Sequence, residues 1–403
     1  MSKKRHIDIL FFYPAQWRTM KTILQPYRKI ALLIMVGFGL LAAQPVRGGL
    51  PSGSPLAALL AAVPQSNTYP EMDARLISYA DYRALERASG IAPILNRDAY
   101  LRLDAPTRAA WWNARARLIG GANGFINLAE ARIQQMPELL GVDFFEVDQS
   151  LVYGAEPFLG TLIHSEQGDF GAWHVGRALR MRGFDPLPYN DAWALGGDGQ
   201  TDINALAFGD PFGGDVGLSS RIAVLNPHLI VNSFLTVILE DARRAHDDQL
   251  PAVIEQAEVA LMAEALTIPD GELIQALIVN SQAGERQAAA DDRLPPYLLA
   301  AIADLQHTDT EILRVVWILP NTPHTYGLIA DGDTALRGYD AAGWLDTLGY
   351  TLDGQMQAAR GGFLVVTLDY KRTLTADSPY PAATVFGFWA RAIQTRMFAP
   401  FAQ

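Results

Sequence analysis

The chain has 403 residues, half of them hydrophobic and 19% charged, with a formal net charge of −11 and no cysteine. Such a length holds one large domain or two ordinary ones, and the composition is that of a packed globular protein, excluding a disordered one. The lack of cysteine excludes a disulfide framework, a thiolate metal site, a cysteine nucleophile and lipid attachment through a lipobox thiol.

The first informative segment is YRKIALLIMVGFGLLAAQPVRGG (27–49). Its apolar run, Ile30 to Ala43, is 14 residues long, preceded by Arg28-Lys29 and followed by Gln44-Pro45. A helix that crosses a membrane needs about 20 apolar residues, whereas the core of a signal peptide needs about 7–15. Residues 1–43 are therefore expected to be a signal peptide cut after Ala42-Ala43, or else an uncleaved signal-anchor helix. Met20 offers an alternative start, because MKTILQPYRK is by itself a normal basic lead. Either way the rest of the chain is expected outside the cytoplasmic membrane, periplasmic or at the cell surface. Residues 1–43 hold seven Lys/Arg and one acidic residue; the remainder holds 25 basic and 42 acidic, a net of −17. That field repels nucleic acid and anionic head groups. Lys371 is the one lysine outside the leader.

Residues 44–70, rich in Gly, Pro, Ser and Ala, read as a tether. An extracytoplasmic α+β lobe is expected over 71–281, opening with a strand at 75–81 and a helix at 82–90 closed by Gly90. A helix over 103–121 is expected, capped by Asp104, with Pro106 in its first turn and Gly120-Gly121 as its stop. Trp111 and Trp112 adjoin, so one belongs in the core and the other at its margin. More helix follows over 122–141. Residues 149–166 contain two strands broken at Gly-Ala-Glu-Pro, and a helix then runs from Phe170 to Arg182. Strands are expected at 186–197, 203–208, 221–226 and 228–234, then helices at 236–248 and 252–266, and an apolar segment at 272–281. The polar stretch 282–296 is the best internal boundary, and a second α+β lobe is expected over 297–403. It opens with an antiparallel, heavily buried pair at 297–305 and 311–320, then a helix at 339–349 and a strand at 361–370. Its last helix, Thr384 to Phe398, carries Phe386, Trp389, Ala390, Ile393 and Met397 in one stripe, either docked on the core or facing a partner. FGAWHVGRALRMRGF (170–184) and YDAAGWLDTLGY (339–350) share a faint pattern that fits two related lobes. Without a regular βαβ rhythm, the fold class is α+β with mainly antiparallel sheet and packed helices.

Chemistry is concentrated in HSEQGDFGAWH (164–174). His164 and Glu166, two apart on a strand, with His174 folded back, would suit zinc or a general base oriented by an acid. The simpler reading is a polar turn and a helix capped by Asp169. A second stretch, LGGDGQTDINALAFGDPFGGDVG (195–217), offers Asp198, Asp202, Asp210 and Asp215 to calcium, but it departs from the EF-hand spacing and suits Gly-Asp turns. Asp143, Glu146 and Asp148 are carboxylates without a shown separation, and DGDT (331–334) reads as a turn. GLSSR (217–221) is not a nucleophile elbow, and neither a dinucleotide fingerprint nor a phosphate loop is present.

The sequence therefore points to a non-catalytic extracytoplasmic binding protein, an accessory or structural subunit of an envelope or membrane-associated complex. No cofactor is called for beyond calcium or zinc at the sites above, and membrane contact is expected through the N-terminal segment. The competing readings are a metal-assisted hydrolase built on His164, Glu166 and His174, and a two-lobed solute-binding protein split near 282–296.

Overall fold

In the computed structural model, the described residues are 54–65, 76–119, 125, 128–155, 158–189, 191–202, 217, 219–280, 298–322, 349–375 and 386–387. The leader, the boundary stretch 282–296, the expected strand at 203–208 and nearly all of the helix expected at 339–349 lie outside them. All described residues belong to one compact unit, 48–403, and no helix among them is long and apolar enough to cross a membrane.

The described elements follow in chain order as α1 (Pro55–Leu60), β1 (Leu76–Asp81), α2 (Tyr82–Ala88), α3 (Arg97–Arg102), α4 (Ala105–Arg115), α5 (Glu130–Leu139), β2 (Gln149–Ala155), β3 (Phe158–His164), α6 (Ala172–Met181), β4 (Asp185–Pro186), β5 (Ala192–Leu195), β6 (Ser220–Asn226), β7 (Leu229–Ser233), α7 (Thr236–His246), α8 (Ala257–Ala265), β8 (Glu272–Asn280), β9 (Leu299–His307), β10 (Thr310–Pro320), β11 (Thr351–Arg360) and β12 (Phe363–Thr373). The fold is α+β, as expected. The described strands form one 12-stranded sheet in the order β11-β12-β10-β9-β8-β1-β2-β3-β7-β6-β5-β4, and every pairing among them is antiparallel.

Strand alternation sorts the core onto two faces. On one face, Ile77, Tyr79, Leu151, Leu162, Val231, Ile278 and Ala301 pack under α1, α7 and α8. On the other, Ala80, Ile163, Ile222 and Ile230 pack under the α2–α6 layer, with Trp111, Phe144 and Phe145. Farther along that face, Leu277, Ile302, Val315, Leu368 and Tyr370 form a third cluster, which Phe386 joins. Both faces are covered, so strands such as β9 are buried almost end to end.

Three expectations are corrected. Part of the expected tether is core: α1 is capped by Ser54 and buries Leu56, Leu59 and Leu60. Leu56, Leu59, Leu60 and Val63 keep the i, i+3, i+4, i+7 spacing of a helical stripe, which outweighs the Gly/Pro/Ser flanks. The two expected lobes share one sheet, since β8 pairs with β9 from Glu272↔Gln306 to Asn280↔Leu299. The helix capped by Asp104 ends at Arg115, short of Gly120-Gly121; the next residues turn so that Arg117 enters the core fully buried. Other details stand: Asp104 accepts from the Thr107 N–H, Gly90 sits at φ 66°, and Trp111 is buried while Trp112 is half-buried.

Between the second and third clusters lies a buried ionic group. The Arg117 guanidinium donates to both carboxylate oxygens of Asp304, at 2.8 and 2.7 Å, and to Gln306 Oε1 at 2.9 Å. Gln275 Nε2 donates to Asp304 and to the Arg117 carbonyl. Arg372 pairs with Glu311 at 3.2 Å. Burial and the neighbouring Asp304 charge push the Glu311 carboxyl up, and Arg117 and Arg372 pull it back.

Candidate functional site

The segment HSEQGDFGAWH is a strand end, a turn and a helix. β3 places His164 opposite Gln149 of β2 and Leu229 of β7. The turn is held by Asp148, which accepts from the Glu166 N–H and from Arg83 Nε at 2.6 Å, and by Ser165 Oγ, which accepts from the Gly168 N–H. The expected cap at Asp169 is corrected. α6 starts two residues later, with Gly171 at the cap position and no side-chain hydrogen bond there. His174 is exposed on α6, its ring 5.0 Å from that of Trp173. Among the described residues no group of three or more His, Asp or Glu side chains is placed to hold a metal ion.

His164 belongs to a different arrangement. At one end of three central strands, on the face covered by α1, α7 and α8, Asp81, Gln149 and His164 stand in register on β1, β2 and β3. Gln149 Nε2 donates to Asp81 Oδ2 at 3.2 Å, and His164 Nδ1 lies 2.6 Å from Gln149 Oε1. An ionised carboxylate only accepts, so Gln149 turns its amide N–H to Asp81 and its carbonyl to His164, whose proton therefore sits on Nδ1. Burial holds the His164 pKa below the ordinary imidazole value, against the pull of Asp148 and Glu166.

Asp81 is the hub. Its Oδ2 also accepts from the Tyr79 hydroxyl at 3.1 Å, and its Oδ1 accepts from the Ala84 N–H at 2.7 Å, capping α2. It is 3% exposed, and burial raises its carboxyl to about 6 despite those hydrogen bonds and the nearby Arg87 charge. Tyr79, buried beside that carboxyl, is pushed well above the ordinary phenol value.

These two residues form part of the wall of an open cavity of about 300 Å³, lined as well by Ser54 before α1, Arg87 of α2, Thr267 after α8, and Glu272 of β8. Arg87 donates through Nε and Nη2 to the two Glu272 oxygens, both at 2.7 Å. This fork is half-exposed and so contributes little to the stability of the fold. The site thus offers a buried carboxylate, a phenol and a satisfied ion pair around a small space.

The aspartate loop has an architectural use at its first member. Asp198 Oδ1 accepts from the Thr236 N–H at 2.7 Å and the Thr236 hydroxyl at 2.9 Å, and lies 2.9 Å from Arg221 Nε, so it anchors the start of α7. Asp202 is exposed, and its N–H donates to the Gly217 carbonyl at 2.8 Å. Asp210 and Asp215 lie outside the described residues. So do Trp389, Ile393 and Met397; Phe386 is described and is buried in the third cluster.

Half of the polar row was readable in the sequence. The break between the two strands of 149–166 folds Gln149 onto His164, and alternation sets both on one face. The contact with Asp81 has no local signal, because β1 reaches β2 across the whole α2–α5 layer.

No protein-family model matches the sequence, and no curated protein matches it. Among solved structures, crystal form III of TP0453 is similar at 8% identity, covering 81% of this chain and 97% of that one with a TM-score of 0.36. Crystal form I of TP0453 is similar at 9% identity over 81% and 96%, with a TM-score of 0.34. A likeness this distant carries no argument about function.

Proposed function

We propose that the protein acts outside the cytoplasmic membrane as a non-catalytic binding protein, an accessory or structural subunit of an envelope or membrane-associated complex held by its N-terminal apolar segment. One observation carries the reading: several of the side chains that could carry chemistry are spent on architecture. His164 is tied to Gln149, Asp148 to Arg83 and the Glu166 N–H, and Asp198 to Thr236 and Arg221. The net charge of −17 beyond residue 43 supports partners other than nucleic acid.

The test is native mass spectrometry of the protein extracted gently from its own membranes. Co-migrating subunits, on a chain that keeps residues 1–43, are the expected result. A lone chain with the mass of residues 44–403 would overturn the anchored-subunit reading. Metal analysis of the same sample separates the hydrolase: stoichiometric zinc that disappears in His164→Ala and His174→Ala would put catalysis back at 164–174.

A further inference from the structure

We propose that the cavity at the end of β1 and β8 takes the ammonium group of a small organic amine, with Asp81 as its anion. The proposal deepens the binding-protein reading and rests on it.

Three observations carry it. First, Asp81 lines the cavity, is nine-tenths buried, and accepts three hydrogen bonds from neutral donors. Among the described residues no cation stands within ion-pair distance of it. Arg87, whose positive charge acts on it, has two of its three nitrogens committed to Glu272. A buried carboxylate with neutral partners alone is stabilised either by taking a proton or by acquiring a positive partner. Second, the charges of the wall sum to negative: Asp81 and Glu272 face Arg87, and Glu166 adds a further negative field felt at Tyr79 and Arg87. Third, the space suits an organic cation better than a bare metal ion. The Asp81 oxygens are largely engaged, so direct coordination would displace existing hydrogen bonds, whereas an ammonium adds one bond to a remaining lone pair. Pro55, Ile268 and Leu273 supply apolar wall for a hydrocarbon stem, and about 300 Å³ is the lower end of the range for small-molecule pockets.

Calorimetry on the full chain with n-butylammonium as probe, and n-butanol and butyrate as matched controls, tests the assignment. Butylammonium is expected to bind at pH 7.5, with butanol and butyrate at least tenfold weaker. Asp81→Asn keeps the acceptor for the Ala84 N–H and is expected to weaken butylammonium tenfold or more. Wild-type protein at pH 5 gives an independent reading should that variant misfold. There the carboxyl is mostly protonated, and binding is expected to fall about tenfold. The groups facing Asp81 in that titration are Tyr79 on its own strand, Arg87 on α2, Gln149 and His164 on β2 and β3, Glu166 beyond β3, and Glu272 on β8. Equal binding of butanol, preferential binding of butyrate, or no binding of butylammonium at pH 7.5 would each overturn the proposal. None of these outcomes touches the subunit reading, which stands or falls on the mass spectrum of the native assembly.

Discussion

The Arg117 guanidinium grips the Asp304 carboxylate with two parallel hydrogen bonds, of 2.8 and 2.7 Å, and neither side chain reaches solvent. Arg117 follows α4 in the helical layer, and Asp304 is central in β9. The pair therefore rivets the layer to the far half of the sheet, where Gln275 and Gln306 satisfy what remains.

Breaking one partner leaves the other as an uncompensated buried charge. Asp304→Ala is expected to lower unfolding free energy by about 3–5 kcal/mol. Urea denaturation followed by far-UV circular dichroism measures it, and a loss under about 1 kcal/mol would show that the rivet carries little.

Asp81 makes stability depend on pH in an unusual direction for a carboxylate. Its folded pKa of about 6 lies above the ordinary 3.8, so the folded state holds this proton more tightly than the unfolded one. The associated stability, about 3 kcal/mol in all, is fully present below about pH 3.8 and lost as pH rises through 6. Roughly half of that change falls between pH 5 and 7.5. Asp81→Asn removes the group, so the wild type should lose stability relative to the variant over that interval; parallel curves would refute the titration.

α1 behaves as core, not as a spacer. Leu56 is fully buried, and Leu56→Ala is expected to cost about 2–5 kcal/mol in the same urea assay. A neutral substitution would restore the tether reading for residues 54–65.

α6 lies so close to β5 that a single methyl group has no room. A Cβ on Gly176 would stand 2.3 Å from Trp193 Cζ2, and Trp193 is itself buried. Gly176→Ala is expected to destabilise by about 1–3 kcal/mol through overpacking, although alanine is the better helix former. A shift in the Trp193 emission should accompany it, and a stabilised variant would contradict the contact.

Features written in local patterns were legible, and features written in long-range pairing were not. Asp104 and Gly90 announced their helix ends because caps and positive-φ stops act within a few residues. The continuous apolar runs at 297–305 and 311–320 announced a heavily buried antiparallel pair. β11 (TLDGQMQAAR) went unread because, among the described strands, it pairs on one side alone, with β12, and an edge strand needs no apolar alternation. The candidate site was half legible: His164 stood out by its chemistry, but its partner chain through Gln149 to Asp81 depends on β1 lying beside β2. The single Asp in LISYAD carries no mark of its future burial.

The placement of β1 also governs the order in which the chain can fold. Ile77 pairs with Tyr153 on one side and with Ile278 on the other, so the strand that enters first sits mid-sheet and waits for a partner made much later. Until β8 arrives, β1 presents a bare edge of unpaired N–H and C=O groups. Contacts this distant in sequence slow folding and expose intermediates to aggregation. A chain emerging N-terminus first should therefore depend on a holding chaperone through most of its synthesis, and refolding from urea should be slow and strongly concentration-limited.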